Sequence, residues 1–464
     1  MSDNQPSDPS PPEPAGEDEV GLKPELIASV AEALAAGEVA VVEKLIQSLH
    51  YADTADLLEG LGPGDRHAFV EIIRDRFDPE VLPELDETVR DEVAEQLGTE
   101  VLAGAIARLD SDDALYLIEG LEEGKRRQVL QKIPAALRKQ LEEGLAFPER
   151  SAGRLMQRDF VAVPTFWTVG DTIDYMRESA DLPEDFYDLF VVDAKHRPIG
   201  TVALNRLLRT KRPLKIGEII EADMKTVPVT MDQEDVAFLF KQHDLVSAPV
   251  VDHFGRLVGT VTVDDVVDVI EEEAEEDLMR LGGVSESDIH TPAMDTARGR
   301  IRWLLVTLIN TVIASTVILQ FTVAIDRIVA LAVLMPIVAA MGGNAGMQVV
   351  TVTVRALATR ALTPANAARV VVKELSVGAL NGVVFAAIIG SGAGFWFDDA
   401  KLGGVLAASM VFNMVWAGFA GIAIPLAIDR FDLDPAVSAG PFLTTTTDVL
   451  GFFSFLGLAT WLLL

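Results

Sequence analysis

The chain has 464 residues, 49% of them hydrophobic, and a formal charge of -33, with no cysteine. Disulfides and thiolate metal sites are therefore excluded, and six scattered histidines do not make a zinc cluster, so any metal bound here is a hard one. A surface this acidic repels nucleic acid and itself, so it either binds cations or tolerates a standing destabilisation.

The charge is unevenly spread. From Thr296 to Leu464 ten Lys and Arg stand against eight Asp and Glu; with +2 there and -33 overall, the front part carries -35. The amino terminus, MSDNQPSDPSPPEPAGEDEVG, has no basic region leading into an apolar stretch, so no secretory signal is expected. Residues 1–24 read as a disordered, acidic, proline-rich tail.

Helical periodicity with short polar turns runs through 25–147, and DTADLLEGL (53–61) matches DDALYLIEGL (112–121) in its leucine spacing. The expectation is an all-α stack of helical hairpins. Over 148–274 a second duplication is visible. VVDAKHRPIGTV (191–202) recurs as VVDHFGRLVGTV (250–261), identical at seven of twelve positions. Each copy follows a Val-Pro pair (Val163-Pro164, Val227-Pro228) and a helical stretch, and each precedes another helix. The unit is strand, helix, strand, turn, strand, helix, and it resembles a tandem pair of cystathionine beta-synthase (CBS) domains, at about 155–212 and 218–274. In the second copy, GTVTVDDV supplies Thr262 and Asp265, which resemble the Thr-x-x-Asp that CBS domains use for an adenosine ribose. The first copy, GTVALNRL, lacks both, so ATP is a possible ligand of half a site.

Next comes VDDVVDVIEEEAEEDL, with Asp264, Asp265, Asp268, Glu271, Glu272, Glu273, Glu275, Glu276 and Asp277. At helical spacing these carboxylates lie side by side and repel. A solvated helix face is the ordinary reading. The alternative is that bound cations let apposed acidic faces pack, and that their loss opens the assembly.

Charge-free stretches of 23, 27, 23 and 27 residues follow, from Trp303 to Ile325, Ile328 to Val354, Leu375 to Phe397 and Leu402 to Ile428. A fifth begins near Pro441, placed as a first-turn proline, and runs to Leu464, broken only by Asp448. Each is long enough to cross a bilayer. Arg298, Arg300 and Arg302 precede the first span and Arg355, Arg360, Arg369 and Lys373 fill the second connection, whereas the loops after spans one and three hold only Arg327 and Lys401. The positive-inside rule then places the front part in the cytoplasm and the carboxyl terminus outside.

An aspartate at the middle of a span costs about 2.5–3.5 kcal/mol to insert, so Asp448 is expected to face a polar pathway. A neutral Asp448 bonded to nearby threonines is the alternative. In the second span MGGNAGMQ surrounds Asn344 with Gly342, Gly343 and Gly346; it either frees backbone carbonyls at membrane depth or permits close helix packing. Asn413 in the fourth span faces a pore or bonds a neighbouring helix. Thr444 to Thr447 suit a polar turn before Asp448. Carboxylate, amides, hydroxyls and carbonyls make an oxygen-only environment, suited to Mg2+ or Ca2+.

The order of parts resembles the MgtE family of magnesium channels after residue 25, including the linker SAGRLMQRDFVAV (151–163) and the motifs MGGNAGMQ and TTTTDVLGFF. The resemblance implies a multidomain membrane protein: an all-α N domain (25–147), α+β tandem CBS domains, an acidic connector or plug helix (275–301) and a five-helix transmembrane domain (302–464). It implies a homodimer, not an enzyme, in the inner (plasma) membrane, whose partners are Mg2+ and membrane lipid rather than nucleic acid or an obligatory protein. Mg2+ would be held largely hydrated by Asp448 of each subunit and the main-chain carbonyl of Thr444, with Asn344 and Asn413 as further pore-side groups. Cytosolic Mg2+ would close the channel at Asp232, Glu234, Asp244, Asp265, Asp268, Glu273, Glu276, Asp277 and Asp434. On the N domain the family pairs carboxylates one turn apart, whereas here Asp112 is followed by Tyr116. Gly282, Gly283, Pro292 and Gly299 would limit the plug helix. The alternatives are a nucleotide-sensing transporter of another divalent cation and a membrane metal sensor that conducts nothing; chloride channels also carry CBS pairs, but after a much larger membrane domain.

Overall fold

A computed structural model describes residues 21–179, 182–183, 186–284, 291, 293–431 and 433–464. Nearly all of the expected disordered tail, and Pro292, lie outside the described residues. Two compact units meet within one helix, the first ending at Val267 and the second beginning at Asp268.

The first unit opens with eight helices: α1 (Pro24–Ala36), α2 (Val39–Ile46), α3 (Tyr51–Gly60), α4 (Pro63–Ile73), α5 (Glu87–Ile106), α6 (Ser111–Gly120), α7 (Glu123–Lys132) and α8 (Ala135–Leu145). Their periodic apolar residues, Leu57, Phe69, Leu97, Leu102 and Ile118 among them, pack into one core. The repeated leucine motif becomes α3 and α6. Gly98 (φ 76°) breaks α5 into two arms, a backbone turn that only glycine makes without strain.

After a short α9 (Ala152–Leu155) the duplicated unit appears twice: β1 (Ala162–Pro164), α10 (Val169–Glu178), β2 (Asp188–Val192), β3 (Pro198–Ala203) and α11 (Leu204–Arg209); then, past α12 (Ile216–Ile219), β4 (Val227–Pro228), α13 (Gln233–His243), β5 (Ser247–Val251), β6 (Leu257–Thr262) and α14 (Val263–Leu281). In each sheet the first strand runs parallel to the second and the third antiparallel to it. The matching turns are built alike. Asp193 accepts from the amides of Lys195 (2.8 Å) and Arg197 (2.9 Å), and Asp252 from those of Phe254 (2.8 Å) and Arg256 (2.9 Å). The linker around α9 threads between the N-terminal helices and the second CBS unit. The amides of Ala152 and Gly153 donate to the carbonyls of Met231 (2.7 Å) and Val229 (2.9 Å). A Cβ on Gly153 would lie 2.5 Å from the Phe147 ring, so the close approach needs glycine.

The second unit holds the end of α14, then α15 (Ala293–Leu319), a short α16 (Thr322–Arg327), α17 (Ala330–Ala358), α18 (Ala367–Trp396), α19 (Ala400–Asp429) and α20 (Pro435–Leu463). Five of these helices are long and apolar enough to cross a membrane. Glycines set how closely they pack: a Cβ on Gly403 of α19 would lie 2.4 Å from the Gly390 carbonyl oxygen of α18, and one on Gly378 of α18 lies 2.7 Å from the Met414 carbonyl oxygen of α19.

Four local expectations change. The first span ends at Leu319, short of Ile325, and its helix begins at Ala293, running through Gly299 without a break. The fifth begins at Pro435 behind the N-cap Asp434, which places Pro441 inside the helix rather than at its start. MGGNAGMQ stays helical and frees no carbonyl by unwinding: Gly342 makes room for Asn413 and Gly346 for Leu443, the close-packing alternative. Nor does the threonine run form a turn. α20 is continuous through it, and its hydroxyls donate to carbonyls of their own helix, as Thr444 does to Gly440 (3.0 Å) and Thr445 to Pro441 (2.7 Å).

Candidate cation sites

In the membrane unit Thr444 and Asp448 sit four residues apart on α20 and so share a face; Thr444 is exposed and Asp448 partly buried. Among the described residues the Asp448 carboxylate has neither a hydrogen-bond donor nor a basic partner, so the threonine-bonded alternative is not realised. The Thr444 carbonyl is engaged within the helix and accepts from the Thr447 hydroxyl at 3.0 Å. Asn344 lies exposed on α17. Asn413 is fully buried on α19, its Nδ2 donating to the Val338 carbonyl at 2.9 Å while its Oδ1 is left without a partner among the described residues. Four more polar groups lie in or beside the spans. Asn310 of α15 donates to the Pro441 carbonyl (3.3 Å), and Glu374 of α18, with Gln348 and Asn381, lines a cavity of about 150 Å3 between α17, α18 and α19. The signals were there: three are amides inside apolar stretches, and Glu374 is an acid at the edge of one, paired with Lys373 at 3.0 Å.

In the first unit Thr262 and Asp265, the residues of the possible ribose site, are bonded to each other. The Thr262 hydroxyl donates to Asp265 Oδ2 at 2.7 Å at the start of α14. The Asp265 carboxyl also lies beside that of Asp112 of α6. Burial, then the neighbouring carboxylates, push Asp265 up to about 9 and Asp112 and Asp113 up to about 7. The two carboxyls thus raise each other's pKa where α6 of the N-terminal helices meets the start of α14. Ser111, beside it, accepts from the Arg158 amide at 2.7 Å, fixing the start of α6. Tyr116 does not supply the missing acid; Arg90 lies over its ring at 4.7 Å. Asp113, in the Asp-Asp start of α6, is the neighbour that the search for a second carboxylate one turn on had missed.

Asp232 and Asp244 stand at opposite ends of α13. Asp232 caps its start, accepting from the Glu234 amide at 2.9 Å, and Asp244 closes its end in the left-handed conformation (φ 51°). In the second unit Glu276 of α14 and Asp434 both bind Arg280. Burial first, then the charges of Asp434 and Glu273, raise the pKa of Asp277. Asp268 and Glu273 lie along the same helix. Among the described residues no three acids or histidines converge into a ready cage, so these carboxylates come as pairs and singles.

Comparison with known proteins follows the same division. Residues 335–458 match the MgtE divalent cation transporter model, 49–150 the MgtE intracellular N domain, and 152–212 and 216–272 the CBS domain. The chain is 31% identical over 448 residues to the magnesium transporter MgtE of Thermus thermophilus, covering 95% of this chain and 99% of that one. It is 28% identical to the Bacillus subtilis magnesium transporter MgtE over 438 residues, 94% and 97% of the two chains. A solved cytosolic domain of the Mg2+ channel MgtE in complex with ATP is 28% identical, covers 52% of this chain and 99% of its own, and superposes with a TM-score of 0.49. Helical N domain, CBS pair and apolar five-helix domain thus follow in one order along nearly the whole length of a relative, and the chain belongs to the MgtE family of divalent cation transporters.

Proposed function

We propose that the protein is a homodimeric Mg2+ channel of the inner membrane that cytosolic Mg2+ closes. The observation that carries this reading is Asp448, a carboxylate without a partner of its own on an apolar helix, with Thr444 one turn away on the same face. A carboxylate at that depth is retained where it meets a cation or water. Mg2+ sheds its waters reluctantly, so one such acid from each of two subunits would hold it with much of its hydration shell, Asp448 as ligand and Thr444 and Asn344 beside it. A second copy is supported by Asn344, Gln348 and Asn381, amides that a single chain leaves exposed at membrane depth. Trp396 and Trp461, 82% and 78% exposed at the last turns of α18 and α20, suit a membrane–water interface at the ends that the arginine distribution places outside. Asn413 acts in this reading by fixing α19 against α17.

Reconstituted in liposomes, the protein is expected to take up Mg2+ down its gradient. Binding of Mg2+ without uptake would make it a sensor instead. Closure follows from linkage: an ion that binds the closed form better shifts the population toward it by its differential affinity alone. The carboxylates proposed for that ion are Asp265 with Asp112, Asp232, Glu234, Asp244, Asp268, Glu273, Glu276, Asp277 and Asp434. An adenosine ribose at Thr262 and Asp265 would compete with both the helix cap and Asp112, so Mg2+ rather than nucleotide is the ligand proposed there.

The Asp112–Asp265 pair makes this testable by pH. Its carboxyls have raised pKa values, with Asp113, Asp110 and Asp264 as further acids around them. A carboxyl with a raised folded-state pKa stabilises the packed form below its ordinary value near 4 and loses that contribution as pH rises through the folded value. Without divalent cations, hydrogen-exchange protection of α6 should therefore fall as pH is raised from 6 through 9, and Mg2+ should restore it while releasing protons. Protection indifferent to pH, or Mg2+ binding with no proton release at pH 7, would remove this pair from the ion's ligands.

A further inference from the structure

Arg280 is the one basic residue on α14, which otherwise carries nine carboxylates from Asp264 to Asp277. Its guanidinium joins two elements: Nη2 meets Glu276 one turn back on α14, and Nη1 meets Asp434 at the head of α20. Neither acid is a loosely solvated surface group. Glu276 is 8% exposed, and Asp434 uses its other oxygen to cap α20, accepting from the Ala436 amide at 2.7 Å.

The arginine is also held from behind. Leu281 packs against the cluster of Val350, Val354, Ala439 and Leu443 at the ends of α17 and α20. Two residues on, Gly283 turns with φ 69° so close to α15 that a Cβ there would lie 1.8 Å from Trp303 Nε1. With the backbone anchored just beyond it, the partly buried guanidinium is aimed at the two acids. Each carboxylate meets a different nitrogen of one planar, permanently charged donor, so both bonds are charge-assisted.

We propose that Arg280 is a built-in cation that occupies the Glu276–Asp434 site when divalent cation is scarce, and that Mg2+ acts there by displacing it. This rests on the reading that these acids are among those through which cytosolic Mg2+ closes the channel. The charge balance favours the exchange. Glu273, Glu276, Asp277 and Asp434 together outweigh one guanidinium, so the site stays electronegative with Arg280 in place and attracts a second cation. A hydrated divalent ion needs the same two carboxylates. The residue thus sets how much Mg2+ the channel requires before it closes.

The test uses the full-length protein in detergent, with protease protection of the cytoplasmic domains read against Mg2+ concentration, and liposome uptake as a second readout. In Arg280→Gln the Mg2+ concentration for half-maximal protection should fall, by roughly tenfold for the loss of one well-placed competitor. Arg280→Lys, which keeps the charge but not the fork, should fall between the two. Asp434→Asn keeps the α20 cap and removes one shared acid; in that background Arg280→Gln should have little further effect. A midpoint that is unchanged in Arg280→Gln, or that moves to higher Mg2+, overturns the proposal, because an arginine that merely braces α14 would give one of those results. If Arg280→Gln does not fold, the Arg280→Lys midpoint decides in the same way. Wild-type protein that shows no Mg2+-dependent protection would instead refute closure by Mg2+ itself.

Discussion

Asp448→Ala is expected to lower Mg2+ uptake into liposomes by at least about 100-fold, the equivalent of losing roughly 2.7 kcal/mol of stabilisation for the passing ion. The substitution should leave the fold at least as stable as before. Inserting a carboxylate into a span costs about 2.5–3.5 kcal/mol, and the Asp448 side chain makes no hydrogen bond or ion pair among the described residues that its removal would break. Opposite signs on function and stability are the signature of a group retained for its ligand. Asp448→Asn separates charge from shape: if the ion is held by charge, the amide also fails. Uptake that survives Asp448→Ala in well-folded protein would mean that the pathway lies elsewhere, and the cavity beside Glu374 would become the next place to look.

Gly403→Val should have the largest effect on the membrane domain itself. A single Cβ at position 403 would stand 2.4 Å from the Gly390 carbonyl oxygen and 3.1 Å from the Gly394 backbone, so what it strikes is main chain, which cannot rotate aside. Overpacking of this kind typically costs 1–3 kcal/mol, and about 3 kcal/mol or more is expected where two helix backbones must part. The check is thermal unfolding in detergent, with Gly404→Val as the control, since a Cβ at Gly404 meets nothing within 4 Å. Equal melting temperatures for the two variants would show that α18 and α19 do not depend on this contact.

Much of the architecture was legible because the physics that writes it is local. Uninterrupted apolar stretches fix spans, and a duplicated Val-Val-Asp turn fixes a duplicated unit, down to the left-handed residue that is His196 in one copy and Gly255 in the other. What stayed hidden depends on partners distant in sequence. Pro441 looked like a helix start because it follows charged residues and opens an apolar run; the true start, Asp434-Pro435, carries the same cap chemistry a turn and a half earlier. In MGGNAGMQ, Gly342 acquires its purpose only from Asn413, some seventy residues on, and Gly346 from Leu443, nearly a hundred on. Thr262 and Asp265 have the spacing of both a ribose site and a helix cap, and spacing alone does not choose between them. Arg280 vanished into a sum: one positive charge in a strongly negative segment moves the total little, yet its position decides what two of those acids touch.

The unbroken course of α20 has a mechanical side. From its cap at Asp434 to Asp448 is fourteen residues, about 21 Å of continuous rod at 1.5 Å per residue. A tilt of about 5° at the capped end swings the far carboxylate sideways by nearly 2 Å, comparable with the radius of a water molecule. Pro441 and the back-bonded threonines fall between the cap and the carboxylate, so that is where this rod would give first, and a substitution there would change how far a tilt at Asp434 carries to Asp448.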